Sequence, residues 1–163
     1  MQIIRGVDLM LFVDGKSIAS ATNHTLTISS DTEDINTKDT GFGLWTTTQI
    51  KSMSWTVSSE NLISTFYTDE PDTTKDKYTY TKLFDMMVAR QPLDITFAVR
   101  SGADLDYTYR DEQTEAMTPM AGDGFIGKAL ITNITYNANV GDNASMTIEL
   151  SGCGALKRVE KKN

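Results

Sequence analysis

The sequence contains one cysteine, one histidine and three prolines among 163 residues. A single Cys153 excludes an internal disulfide, so burial and strand pairing must hold the fold. The same scarcity narrows catalysis. A hydrolase would need His24, Cys153 and a carboxylate to converge. Cys153 instead sits between Gly152 and Gly154 at the close of a strand, where a small buried residue packs well. His24 reads as a residue on the polar phase of a strand. A metal site would have to be built from carboxylates, and no stretch has the spacing of a Ca²⁺ loop with its central glycine. The Asp31, Glu33 and Asp34 cluster reads either as a weak cation site or as a solvated acidic loop. Gly122/Gly124 and Gly152/Gly154 lack the lysine and the following helix of a phosphate loop. The expectation is no enzyme, no catalytic residue, no cofactor and no resident metal.

Long hydrophobic runs are also missing, and Met1 to Arg5 has no signal-peptide core, so no membrane anchor is expected. The Asn23, Asn133 and Asn143 sequons carry little weight without a secretion signal. Positive charge is short. Lys and Arg total 15 against 22 Asp and Glu, a formal net charge of −7. Such a surface repels phosphate and is a poor start for tight nucleic-acid binding, although solubility alone would explain it equally well. Tyr107 and Tyr109 could stack on a base, but no basic stripe accompanies them.

What is present is alternation. In Ala144–Leu150 the residues Ala144, Met146, Ile148 and Leu150 are two apart, the period of a strand with one apolar face. Before it, Ala129 and Ile131 share one parity while Ile134, Tyr136 and Ala138 share the other. One extra residue at Thr132–Asn133, a β-bulge, would restore the face. Val140 to Asn143 supplies the turn of a long hairpin spanning Phe125–Gly154. A second hairpin has Leu26 and Ile28 inward on one arm and Met53, Trp55 and Val57 on the other. Its connection, Asp31 to Thr48, reads as a long acidic loop holding Asp39, Phe42 and Trp45. Loops of that size in a compact domain are functional or disordered, and the two aromatics argue against disorder.

Val7 to Val13 is apolar on both phases and so is expected to be buried on both sides. Tyr78–Arg90 is the one helix, with Tyr80, Leu83, Phe84, Met87 and Val88 as a single apolar stripe, Pro92 ending it, and Arg90 suiting the negative end of its dipole. Ile95, Phe97 and Val99 give a further strand. Asp69–Lys77 reads as a surface loop. Gly102–Gly124 reads as a long acidic insert with a short strand at Asp106–Arg110. Residues 152–163, with Lys157, Arg158, Lys161 and Lys162, read as a basic, mobile tail. The whole is expected to be one domain over 1–163, without internal repeats.

The stretch from Gly127 to Thr135, continued by Gly141 to Gly152, resembles the C-terminal hairpin of phage major tail tube proteins. Gly15–Ala19, Thr25–Ser29, Thr37–Thr40 and Met53–Leu62 look like the N-terminal hairpin of that family, in the same order and with the helix between. The resemblance implies a mainly β fold: a β-sandwich or small barrel with one flanking α-helix and two long hairpins that join an inter-subunit β-barrel. It implies hexameric rings that stack into a hollow tube conducting double-stranded DNA without binding it specifically. It also implies tape measure, tail terminator and baseplate proteins as partners, and a virion component assembled in the host bacterial cytoplasm. The 102–124 insert has no counterpart in this resemblance.

Long hairpins leave open edges that invite pairing, ring closure removes them, and a head-to-tail contact then gives a filament. On this reading Thr27, Thr56, Thr147 and Glu149 are lumen-lining candidates, neutral to acidic like a wall that offers DNA few phosphate contacts. Asp31, Glu33, Asp34, Asp39, Phe42 and Trp45 are the inter-ring contact candidates. Two other readings remain: the tube of a contractile injection system, and a carbohydrate-binding or adhesin-type β-sandwich. The adhesin reading would use Trp45, Trp55 and the tyrosines as sugar platforms, although Trp55 shares the apolar phase of Met53 and Val57.

Overall fold

The computed structural model describes residues 4–18, 20–38, 44–63, 77–100 and 119–159. In chain order it has β1 (Leu9–Val13), β2 (Lys16–Ile18), β3 (Ala21–Ile35), β4 (Thr47–Leu62) and β5 (Lys77–Tyr78). Helix α1 (Tyr80–Ala89), β6 (Leu93–Arg100), β7 (Pro119–Asn137) and β8 (Ser145–Val159) follow. The mainly β fold with one helix is as the alternation implies. Its strands form one continuous sheet in the order β3-β4-β8-β7-β6-β1-β2-β5. Every neighbour pair is antiparallel except β2 with β5.

The pairing registers explain the core. Leu11 faces Phe97 and Val13 faces Ile95. Leu93 faces Ala129, Ile131 faces Leu150, and Leu150 faces Val57. These side chains therefore share one face of the sheet and form a single apolar cluster, which Leu83 of α1 caps. β1 is buried on both faces as its double apolar phase requires, with Met10 and Phe12 on the second. Val7 falls outside the strand and is exposed.

The bulge in β7 lies where the parity changes. Ile131 pairs with Leu150 and Asn133 with Glu149, so Thr132 is the extra residue. Its Oγ1 donates to the Glu149 carbonyl at 3.2 Å, giving the displaced residue a partner. The step returns Ile134 and Tyr136 to the core side. Gly141 (φ 92°) makes the β7–β8 turn; an L side chain there would be strained.

Helix α1 is shorter than its pattern suggests. Its first turn closes with the Leu83 amide donating to the Thr79 carbonyl, and Arg90 (φ 54°) ends it, donating its amide to the Met87 carbonyl. The apolar stripe divides. Leu83 is fully buried and Tyr80, Met86 and Met87 pack on the core, while Phe84 and Val88 remain 53% and 61% exposed. A helix of this length over one sheet buries a narrow arc, and Phe84 and Val88 lie on its flank.

Three segments differ from the sequence reading. Asp31–Ile35 and Thr47–Thr48 are strand rather than loop, so the β3–β4 connection is 36–46. Those strand ends are mostly polar, and the single apolar residue Ile35 gives no alternation to mark them. Pro119–Gly124 begins β7 instead of closing an insert, with proline at the first position where it breaks no ladder bond. Gly152–Val159 continues β8, with Arg158 opposite Phe125 and Lys157 opposite Ile126, where a basic tail was expected. The insert through 118, the Asp106–Arg110 strand, most of the Asp69–Lys77 loop, and Lys161 and Lys162 lie outside the described residues.

The largest departure from simple alternation is around Trp55, which is 5% exposed. Its ring lies across Gly127 and Gly152, and its Nε1 donates to the Gly154 carbonyl at 3.0 Å. A Cβ on Gly127 would come within 2.7 Å of the indole, and one on Gly152 would overlap it. The glycines are there to admit the ring. Burying an indole removes on the order of 200 Å² from water, an upper bound of roughly 5 kcal/mol. Replacing Gly152 by alanine should displace Trp55 and lower stability by about 1–3 kcal/mol, read as a lower urea midpoint at unchanged slope. An unchanged midpoint would refute this packing account.

Candidate assembly interface

The β3-β4-β8-β7 part of the sheet has two unlike faces. Thr27 pairs with Thr56, Thr56 with Ser151, Ser58 with Glu149, and Glu60 with Thr147. These residues therefore share the side opposite the core. Thr27, Thr56 and Glu149 are exposed and Thr147 is half-buried. Asn133 and Thr135 of β7 continue that row. The acidic groups on it are Glu60 and Glu149, with Asp31 and Glu33 further along β3, and Lys157 of β8, opposite Ile126, is a basic one. Lys128 lies on the same face towards β6 and is 3.7 Å from Asp94.

The edges are open. β3 pairs with β4 on one side, and among the described residues nothing pairs on the other. β7 pairs with β6 through Pro119–Ala129, but its Leu130–Asn137 end pairs with β8 alone. β4 meets β8 over Thr56–Leu62. Beyond Trp55 the β3–β4 hairpin leaves the sheet as a two-stranded ribbon. Such unpaired rows of N–H and C=O groups are templates for another chain.

The proposed inter-ring residues are distributed over this ribbon. Glu33 faces Gln49 and accepts from its Nε2 at 2.6 Å; Asp34 faces Thr48 and accepts from its Oγ1 at 2.9 Å. These pairs stitch the strands together. Glu33 and Asp34 point to opposite faces, which separates the carboxylates that a cation would need together. No group of three or more metal-ligating side chains exists among the described residues. Trp45 and its neighbour Leu44 are 75% and 82% exposed in the 36–46 connection. Asp39 and Phe42 lie outside the described residues.

His24 is on the inward phase, with Leu26 and Ile28, rather than the polar one: it faces Ser59 across the ladder. Asn61 Oδ1 accepts from Ser59 Oγ at 3.0 Å, and Asn61 Nδ2 donates to the Ser59 carbonyl at 3.3 Å. Ser59 Oγ is also hydrogen-bonded to His24 Nδ1 at 3.0 Å. His24 Nε2 is buried without a partner. Burial holds the imidazole down, to about 4. Ser59 is fully buried, so no substrate reaches its hydroxyl. Cys153 is half-buried within β8, opposite Lys128. Met53, expected in the core with Trp55, is 69% exposed because the ribbon has left the core by that point.

The fold is similar to that of solved structures. A chain from the tail of an empty gene transfer agent particle, solved with C6 symmetry, superposes with a TM-score of 0.66 over 96% of this chain and 99% of that one, at 16% identity. The fold is the tail-tube fold. A chain of the native gene transfer agent virion matches at 0.64, with 16% identity over 96% of this chain and 99% of that one. The SPP1 tail tube matches at 0.58, with 12% identity over 98% of this chain and 81% of that one. No family model and no curated protein matches the sequence. Within the tail-tube fold the residues missed by sequence reasoning are Gly127, Gly152 and Gly154 around Trp55, and the Phe84/Val88 flank. The glycines could have been found by pairing each core-phase glycine with the nearest unplaced aromatic ring.

The buried imidazole makes stability depend on pH. Its folded value of about 4 is below the ordinary 6.5, so the unfolded chain binds the extra proton between them. The neutral His24 therefore contributes fully above 6.5, and that contribution is lost as pH falls towards 4. Between pH 7 and pH 5 the protein should lose about 2 kcal/mol through this group. Urea melts of the wild type and of His24→Gln at the two pH values should differ by that amount; parallel curves would contradict it.

Proposed function

We propose that this protein is the structural subunit of a phage tail tube or a related gene-delivery tail. The carrying observation is a pair of open backbone rows among the described residues, one along the edge strand β3 and one along the Leu130–Asn137 end of β7. They flank a face that is polar to acidic. Copies joined edge to edge extend one sheet laterally and close it into a hexameric ring, placing Thr27, Thr56, Thr147 and Glu149 on the bore. A bore of that character offers duplex DNA no cationic ladder to bind, so DNA passes without specific contacts. The C6 symmetry of the gene transfer agent tail supports the ring size.

Along the other direction, the 36–46 connection with Leu44 and Trp45 reaches the adjacent ring, and head-to-tail repetition gives the tube. The role requires no reaction centre. Tape measure, terminator and baseplate proteins would meet the tube at its core and its two ends, with assembly in the host cytoplasm and residence in the virion. The adhesin-type alternative is weakened by Trp55, whose buried ring cannot serve as a sugar platform.

Negative-stain micrographs of the purified protein should show rings or tubes. Deleting Thr40–Trp45 should leave folded subunits and abolish tubes. Persisting tubes in the deletion would overturn the inter-ring role, and wild-type monomers at high concentration would overturn the function itself.

A further inference from the structure

The β3–β4 ribbon has an apolar side that no described residue covers. Ile28 faces Trp55 on the core side of the sheet, and Met53 continues that side. The register slips once, between the Asp31/Ser52 and Thr32/Ile50 pairs, so Lys51 is the extra residue. The slip keeps Ile50 on the same side as Met53; without it Ile50 would turn to the acidic side. Ile28, Ile50 and Met53 are 49%, 62% and 69% exposed. A bulge that preserves an exposed apolar side implies something that side must meet.

The chain carries a second uncovered apolar strip. Tyr80, Phe84 and Val88 are four residues apart on one flank of α1. Tyr80 marks where that flank lies. The Tyr136 hydroxyl donates to the Tyr80 carbonyl at 3.3 Å, and the two rings meet edge to face at 6.2 Å. Tyr136 is on the core side of β7, within the stretch whose outer edge is open. Tyr80, on the same flank as Phe84 and Val88, thus sets the start of that flank beside the edge that a neighbouring copy's β3 would extend. When a sheet continues across that edge its faces continue with it, so the neighbour's ribbon presents its core side on the side of α1.

We infer that the Ile28–Ile50–Met53 side of the ribbon of one copy docks on the Phe84–Val88 flank of helix α1 of the laterally adjacent copy. This rests on the edge-to-edge ring and adds a second, side-chain-specific lock to it. Backbone pairing alone would tolerate register slips; an apolar contact at a fixed place selects one register.

In a Cys153→Ser background, Met53→Cys and Val88→Cys combined in one chain should give a ladder of covalent multimers when the assembled protein is treated with a short bismaleimide. Either cysteine alone should give no such ladder. Val88→Asp should keep the wild-type thermal midpoint, because the site is exposed in the monomer, and should raise the concentration needed for assembly by about tenfold or more. Wild-type rings with no ladder, together with Val88→Asp assembling normally, would overturn the docking site and leave the ring standing. A wild type that forms no rings would overturn both.

Discussion

A β-strand pairs all of its backbone with protein only when both of its edges have a neighbour, and among the described residues this fold leaves two long edges without one. β3 runs for 15 residues with hydrogen bonds on one side. The end of β7 has the same deficit on the opposite flank. Proteins ordinarily blunt such edges with short strands, prolines or covering loops. Here the edges are long and lie at opposite sides of the same stretch of sheet. One edge can therefore be completed by the other edge of an identical chain, and the deficit is removed for every copy only when the series closes.

The rest of the structure keeps those edges usable. Over β3-β4-β8-β7 the core occupies one face and leaves the other mostly polar, so the two faces of an extended sheet would differ. Trp55 anchors the root of the ribbon: its indole lies on Gly127 and Gly152 and bonds to the Gly154 carbonyl, tying β4 to the β7–β8 hairpin. Beyond that anchor the ribbon relies on cross-strand pairs such as Glu33 with Gln49 and Asp34 with Thr48. The buried His24–Ser59–Asn61 cluster sits near the other end of the β3–β4 pairing. There a polar network specifies one register at the expense of tolerance to acid.

Much of this was legible from residue spacing, and the failures share a cause. The Thr132 bulge showed as a change of parity between Ile131 and Ile134, because one side of that hairpin is buried and alternation is strict. β1 showed as apolar on both phases for the same reason. The ends of β3 and β4 did not show, since the extra residue Lys51 shifts the parity between Ile50 and Met53 and the segments beyond it are mostly polar. The stretch after Gly152 was read as a tail because lysines there hid a strand whose neighbour is β7. His24 was misplaced by its polarity although its parity matches Leu26 and Ile28. The stripe on α1 was too broad because spacing gives the apolar positions but not the width of the arc a sheet can cover. The glycines around Trp55 depend on a contact between distant segments, which periodicity does not encode.

The central claim is that backbone groups left open in one chain are closed by the next. Amide hydrogen exchange measures this directly, residue by residue, in dilute monomer and in assembled protein. The account predicts that alternate amides of β7 from Leu130 to Asn137, and of a stretch of β3 of matching length, exchange freely in the monomer and become protected on assembly, while β1 and β6 change little. Equal protection of those edge amides in both states would contradict it.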